Sequence, residues 1–494
     1  MAMLPEVKSH YGNLKLYIDG EWVESKSSDV RATTNPATGQ EIATYPQATQ
    51  EEARAAVEAA QRGFLAWREV ALRERGRLLF DMRQKFEENY DTLCRVLTQD
   101  HGRTIGESQG SVRRVIENVE SACSAVYQMP KLNEHVDWLA RGIDEYMIYE
   151  PEGVFLIITP GNIPMHAWSS FVPYALAAGC SVVVSPSRQD PVAADYICRM
   201  TEGLGLPKGA VNLVHGGREI NKFILSQPEV RGVGLIGSSA VSLELFQTCA
   251  KYGKKSSLNG NGKNAVVVMP DADLDQTVDF LLRGCFGMGG QRCLGSDTVI
   301  VVGDIYEDFK AKLVAAAKTM KLGYGLDDST ELGPMCAPSG KAKVVDWVDR
   351  AIKEGAKMVL DGRGVKVPGY EGGYFLAPII LEGVDGSMPT CHEESFGPVA
   401  ALMRMGSMEE AIAYINADTT NGHSASIMTG SGKSARKFTK EVEVGNVGVN
   451  VAIPQPYAFF PLGSKKMSFL GAAKSRLASM RLFLDEKTVT SRWV

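Results

Sequence analysis

From Gly153 onward the chain alternates short, continuous apolar runs with amphipathic stretches. "GVFLIITP", "CSVVVSPS", "AVNLVHGG" and "VRGVGLIGSS" are apolar throughout but too short for helices, with helical periodicity between them over 192–203, 220–225 and 240–250. After Asn259 the alternation resumes with "NAVVVMP", a helix near 274–286, "TVIVV" and a helix over 305–320, then "AKMVLDG", "PVAALMRM", "SASIMTG" and "VGVNVAI". Buried strands alternating with helices predict parallel sheets covered on both faces, arranged as two α/β domains in series that divide near residue 255.

The N-terminal part has another rhythm. "LKLYIDGEWVES" alternates about Asp19-Gly20 as a hairpin does, and "NPATGQEIATYP" gives a loop and a short strand. Thr49 and Glu52 form a capping box ahead of Val57, Ala60, Phe64 and Trp67, and a second amphipathic helix is expected over 72–90. Two pieces stand outside the alternation: "VDWLARGIDEYMIYEP", a hairpin, and the closing "DEKTVTSRWV", a lone strand. Pieces of this kind often mediate subunit contacts, and a local edge hairpin is the duller alternative.

Composition narrows the class. The 494 residues are 44% apolar and 22% charged, as in ordinary globular proteins, and the net charge of -5 comes with no basic stripe that would suit nucleic acid. No signal-like leader or long uncharged apolar run is visible, and the nine cysteines show no CxxC pair. Reduced thiols, a cytoplasmic location and no metal site are the expectation.

Candidate chemistry centres on "FGMGGQRCLGSDTVIVV". Cys293 follows a glycine turn, where backbone can approach a ligand, and Arg292 is a cation that would favour the thiolate. Cys94, Cys123, Cys180, Cys198, Cys249 and Cys285 lie in apolar contexts and fit a structural role; Cys336 and Cys391, in polar loops, are undecided. Asn162 in "TPGNIP" follows an apolar strand; its amide would suit a developing oxyanion, or it turns the chain before Pro164. Gly237 and Ser238 open a helix at a strand end, which suits phosphate oxygens or a plain N-cap. Glu393 and Glu394 precede Phe396 in a loop that is either functional or a solvated acidic turn.

These segments together, "NPATG", "PGNIP", "GLIGSS", "NGNGKN", "GGQRC", "LGP", "EESFGPV" and "GNVGVNV", resemble the aldehyde dehydrogenase superfamily in order and spacing. The resemblance implies two doubly wound α/β domains, one Rossmann-like for the cofactor and one catalytic, plus a small β oligomerisation element. The expected bounds are 1–130 and 152–255 for NAD(P) binding, 256–450 for catalysis, and 131–151 with 470–494 for oligomerisation into a dimer or tetramer. It also implies that Cys293 attacks the aldehyde, that Asn162 and the cysteine N–H hold the oxyanion, and that hydride transfer leaves a thioester. The pyrophosphate would lie on Gly237 and Ser238, and the nicotinamide ribose against Glu394 with Phe396 alongside.

One absence is informative. Hydrolytic members carry a glutamate where this chain has Asn259, and an asparagine cannot take a proton from water at neutral pH. A thiol acceptor, coenzyme A, needs no such base. This resembles the CoA-acylating methylmalonate-semialdehyde dehydrogenase branch, as do "KNAVVVMPDADL", "GVNVAIPQP" with "AFFP", and "TVTSRW". In that branch two arginines grip a substrate carboxylate, and the match falls on Arg292 and Arg114; Arg114 pairing with Glu117 along its helix is the alternative. Hydrolysis to a free acid from another aldehyde, and a catalytically silent binding protein, are the competing readings. Three departures stand out: Gly161 replaces an aromatic residue and would enlarge or loosen the pocket, His166 replaces an apolar one and is either structural or faces the substrate, and the ribose-anchoring motif reads "SPSR". In that last motif, Ser185 to Arg188, the arginine would suit a 2′-phosphate, so NADP stands beside NAD.

Overall fold

The computed structural model describes residues 3–493; the outermost residues of the expected 1–130 and 470–494 segments lie outside the described residues. The first sheet has eight strands around a parallel core ordered Lys255–Asn259, Val230–Ile236, Val154–Ile158, Ser181–Ser185, Val211–Leu213. Strand Phe469–Gly471 closes one edge antiparallel to Lys255–Asn259, so the chain returns here after building the second sheet. The hairpin Leu16–Ile18 and Glu21–Val23 closes the other edge. Its turn residues, Asp19 and Gly20, have φ of 54° and 81°, the left-handed pair that a two-residue hairpin turn requires.

Helices cover both faces of this parallel core, which is why its strands read as unbroken apolar runs. Strand order reverses between Val154–Ile158 and Val230–Ile236, and there a crevice opens at the carboxyl ends. Asn162 follows one of these strands and Gly237-Ser238 the other.

The second sheet runs Lys357–Leu360, Ile379–Glu382, Val399–Met405, Thr298–Val302, Ala265–Val268, Ser424–Met428, Asn446–Val449, parallel except at its first strand. It presents its amino ends to the site: Cys293 precedes Thr298–Val302, and Glu394 precedes Val399–Met405. The two sheets thus meet carboxyl edge to amino edge across the cysteine.

Several elements differ from expectation. The C-terminal strand Leu484–Arg492 is not alone; it pairs along its whole length with Ile143–Pro151, which also pairs with Glu134–Ala140. This three-stranded sheet leaves Trp138 74% and Trp493 72% exposed. The 274–286 helix is α-helical over Leu274–Leu281 and widens into a π turn over Leu282–Phe286. Helices Tyr90–His101 and Ile105–Gln128 extend the N-terminal helical layer. The second of these carries a capping box, Thr104 with Glu107, and buries Val112, Val115, Ile116 and Val119. Among the described residues no helix is long and apolar enough to cross a membrane.

Phe171 is wholly buried over Gly234, where a Cβ would stand 2.9 Å from its ring. Phe171→Ala should therefore cost about 3–5 kcal/mol of stability, read as a lower urea midpoint; an unchanged midpoint would mean that this face of the sheet collapses to refill the space.

Candidate active site

The loop that carries Cys293 leaves the π turn through three left-handed residues, Met288, Gly289 and Gly290. At Gly290 a Cβ would sit 1.8 Å from the Gly397 carbonyl oxygen, so a glycine is required where this loop crosses the one bearing Glu394. The carboxamide of Asn264 donates to the carbonyls of Cys293 and Gly295, 2.7 Å each, and accepts from the Ser424 N–H. From the other sheet, Asn162 Nδ2 donates to the Gln291 carbonyl at 2.9 Å, and buried Arg103 donates to the Asn162 carbonyl.

Cys293 stands at a neck between two cavities. One, of about 780 Å³, is lined by Arg114, His166, Met288, Arg292, Ile453 and Gln455 among others; the second, of about 730 Å³, by Gly237, Ser238, Asn261, Trp347, Glu394 and Phe396. Asn162 and Cys293 line both. All other cysteines are buried, Cys336 and Cys391 included, and Cys293 alone is partly exposed.

Burial, and then the Glu394 charge, push the Cys293 thiol up to about 12, against a smaller opposing pull from Arg476. The activating cation expected next door is spent on another partner: the Arg292 guanidinium donates to Glu107 Oε1 at 3.1 Å. Arg114 lines the first cavity, but it is paired with Glu117 and lies 4.4 Å from the Tyr457 ring centroid. Both arginines therefore face the cavity with partly neutralised charge.

Glu394 is tied down by groups that the sequence did not single out. Asn261 Nδ2 donates to its carboxylate, and the Gly262 N–H lies 3.4 Å from it. The same Asn261 accepts from the Ser239 N–H at 2.7 Å, joining Glu394 to the first turn of helix Ser239–Tyr252. Burial pushes the Glu394 carboxyl up to about 8. Ser238 caps this helix and also lines the second cavity.

Other predicted residues lie apart. Ser185 ends its strand, buried, with a hydroxyl that has no hydrogen-bond partner among the described residues. Arg188 opens on a separate depression of about 310 Å³ beside Gly217 and Arg218. Gly161 does not enlarge the first cavity; it faces the second, and Gln189 Oε1 occupies the space its Cβ would need. Asn259 is buried at its strand end, lines neither cavity, and lies 3.5 Å from the Leu235 carbonyl.

The second cavity fits a dinucleotide by its own chemistry. A capped helix start with glycine before it suits phosphates, a half-buried carboxylate suits ribose hydroxyls, and the volume suits a ligand of that size.

The aldehyde dehydrogenase family model matches residues 22–489. Malonate-semialdehyde dehydrogenase 2 of Geobacillus kaustophilus is 36% identical, covering 97% of this chain and 99% of its own length. The acylating mitochondrial methylmalonate-semialdehyde dehydrogenase of Arabidopsis thaliana is 36% identical, covering 99% of this chain and 80% of its own length. The crystal structure of methylmalonate-semialdehyde dehydrogenase from Oceanimonas doudoroffii superposes with a TM-score of 0.95 at 32% identity, covering 98% of this chain and 99% of that one. That of a putative methylmalonate-semialdehyde dehydrogenase from Sinorhizobium meliloti 1021, complexed with NAD, gives 0.95 at 31% identity, covering 98% of each chain.

Because the Glu394 carboxyl ionises near 8 and its charge disfavours the thiolate, Glu394→Gln should speed alkylation of Cys293 by iodoacetamide above pH 8 and change it little below. Equal rates at pH 9 would show that burial alone sets the thiol.

Proposed function

We propose that this chain, which belongs to the aldehyde dehydrogenase family, oxidises a short aldehyde bearing a carboxylate, of the malonate or methylmalonate semialdehyde type, and passes the acyl group to coenzyme A. The observation that carries this reading is Cys293 at the neck shared by both cavities, with Asn162 beside it.

The aldehyde enters the first cavity and the dinucleotide the second. Cys293 gives up its thiol proton to solvent and adds through sulfur to the carbonyl carbon. The resulting oxyanion takes hydrogen bonds from the Cys293 N–H and from the Asn162 amide, whose Nδ2 has a second hydrogen beyond the one spent on Gln291. A nicotinamide held beside Glu394 and Phe396 would supply the hydride acceptor, and loss of hydride from this carbon leaves a thioester on the Cys293 sulfur. The CoA thiolate then attacks the thioester, and Cys293 departs as the leaving thiolate. Cofactor roles fall to Gly237, Ser238, Glu394 and Phe396. Ser185 and Arg188 would serve the adenosine end, where the arginine leaves NADP open beside NAD.

Arg292 and Arg114 are the carboxylate ligands in this reading. Each already has a carboxylate partner, Glu107 and Glu117, so a substrate acid group shares rather than supplies their counter-charge. The eight-stranded unit would be the cofactor domain and the seven-stranded unit the catalytic one. The three-stranded sheet, with Trp138 and Trp493 exposed, would meet another copy of the chain in a dimer or tetramer. A cytoplasmic location goes with this set of roles.

A second reading, hydrolysis to the free acid, has one observation in its favour: Glu394 is a half-buried carboxylate in the cavity that Cys293 faces, pushed up to about 8.

Purified protein given NAD and malonate semialdehyde should form NADH steadily only with CoA, yielding a CoA ester by mass spectrometry, and Cys293→Ala should abolish it. Arg292→Ala should lower kcat/KM for the acidic aldehyde relative to propanal by about tenfold. Steady turnover to free acid without CoA would establish the hydrolytic reading instead.

A further inference from the structure

We infer that His166, held in one tautomer by Arg476, is a specificity-determining hydrogen-bond donor for the acid group of the aldehyde. This rests on the oxidation of a carboxylate-bearing aldehyde at Cys293 proposed above, and adds to that site a contact made by neither Arg114 nor Arg292.

Arg476 is an unusual residue for its position. Its φ of 64° lies in the left-handed region, which suits glycine and costs any other side chain. Its side chain is nevertheless wholly buried, and its Nε has no hydrogen-bond partner among the described residues. Strain, a desolvated charge and an orphaned donor thus meet where a glycine would carry none of them. Such a combination marks a site kept for a task other than stability.

The other ends of the guanidinium are used. One terminal nitrogen donates to the carbonyls of Pro456 and Tyr457, at 2.5 and 3.2 Å. This ties down the segment whose Ile453, Gln455 and Leu462 form one wall of the first cavity. The other lies 3.2 Å from His166 Nε2. A guanidinium only donates, so Nε2 must offer its lone pair, and the ring proton is on Nδ1. Burial, with Arg476, Arg114 and Arg103 nearby, holds the imidazole well below its ordinary value, so it stays neutral.

His166 lines the first cavity from the short helix Pro164–Ser169, four residues after Asn162. Its Nδ1–H faces the Gln455 amide nitrogen, Nε2, at 3.5 Å, a group that itself only donates, so the ring N–H meets no acceptor there. The donor is therefore fixed in direction and set against another donor, and a carboxylate oxygen is the acceptor it lacks. Arg476 acts through His166 and the wall segment, as a positioning residue.

Malonate is the probe: it carries the acid group and is not turned over. It should protect Cys293 from iodoacetamide in the intact enzyme, and His166→Leu should raise the malonate concentration needed about tenfold or more. His166→Asn, whose amide N–H stands near the place of Nδ1–H, should recover most of that loss. Arg476→Gly, which keeps the left-handed backbone without strain, should weaken protection and shift the His166 ring ¹⁵N signals from the Nδ1–H form toward a tautomer mixture. Unchanged protection in His166→Leu and Arg476→Gly, or no protection in the unsubstituted enzyme, would overturn the inference. If malonate protects as stated but malonate semialdehyde is not oxidised with CoA, the proposed reaction fails and the anion contact stands.

Discussion

The side-chain amide of Asn264 spends both of its hydrogens on the carbonyls of Cys293 and Gly295 while its oxygen takes the Ser424 N–H, so it couples the nucleophile loop to the second sheet. Every other feature of the site presupposes that coupling. The loop can cross the Glu394 segment only with glycine at 290. The shared neck exists only if Cys293 stands where Asn162 reaches the same loop from the first sheet. A cleft between two sheets is ordinarily a place of relative motion, and here the hydrogen bond from Asn162 Nδ2 to the Gln291 carbonyl spans it beside the cysteine.

Charge in the site is held back rather than displayed. Arg292 and Arg114 each keep a carboxylate partner, Glu394 is held by Asn261, and the thiol is pushed up to about 12 by burial and by Glu394. A protonated thiol is a poor nucleophile and a poor target for oxidants, so the resting site is protected from side reactions. Anything that occupies the second cavity and engages Glu394 bears directly on the proton at Cys293, because the carboxylate is the largest charge acting on it.

Much of this was legible in the chain. Apolar runs such as "GVFLIITP" and "TVIVV" marked strands correctly because parallel strands are buried on both faces, and their uniformity leaves no second interpretation at that length. The Thr49 and Glu52 capping box was readable because it depends on neighbours only. The C-terminal strand was misjudged as alone because its partner lies far back in the sequence at Ile143–Pro151. At the site, the ordered motifs directed attention to Cys293, Asn162, Gly237, Ser238 and Glu394, which converge on one neck and its cavity. Adjacency misled at Arg292: one residue from the cysteine in sequence, its guanidinium turns to Glu107. Arg476 gave no signal, since "KSRLAS" is unremarkable until the backbone angle and the distant His166 are known.

The return of strand Phe469–Gly471 to the first sheet has a consequence for biosynthesis. As the chain emerges, strand Lys255–Asn259 is complete early, yet its outer edge stays unpaired until the whole second sheet has been translated. At about 5–20 residues per second that interval is on the order of ten seconds or longer. During it an exposed edge is open to pairing with a neighbouring nascent chain. The first sheet must either wait unfinished or borrow a temporary partner until a three-residue strand from the far end of the chain arrives to close its edge.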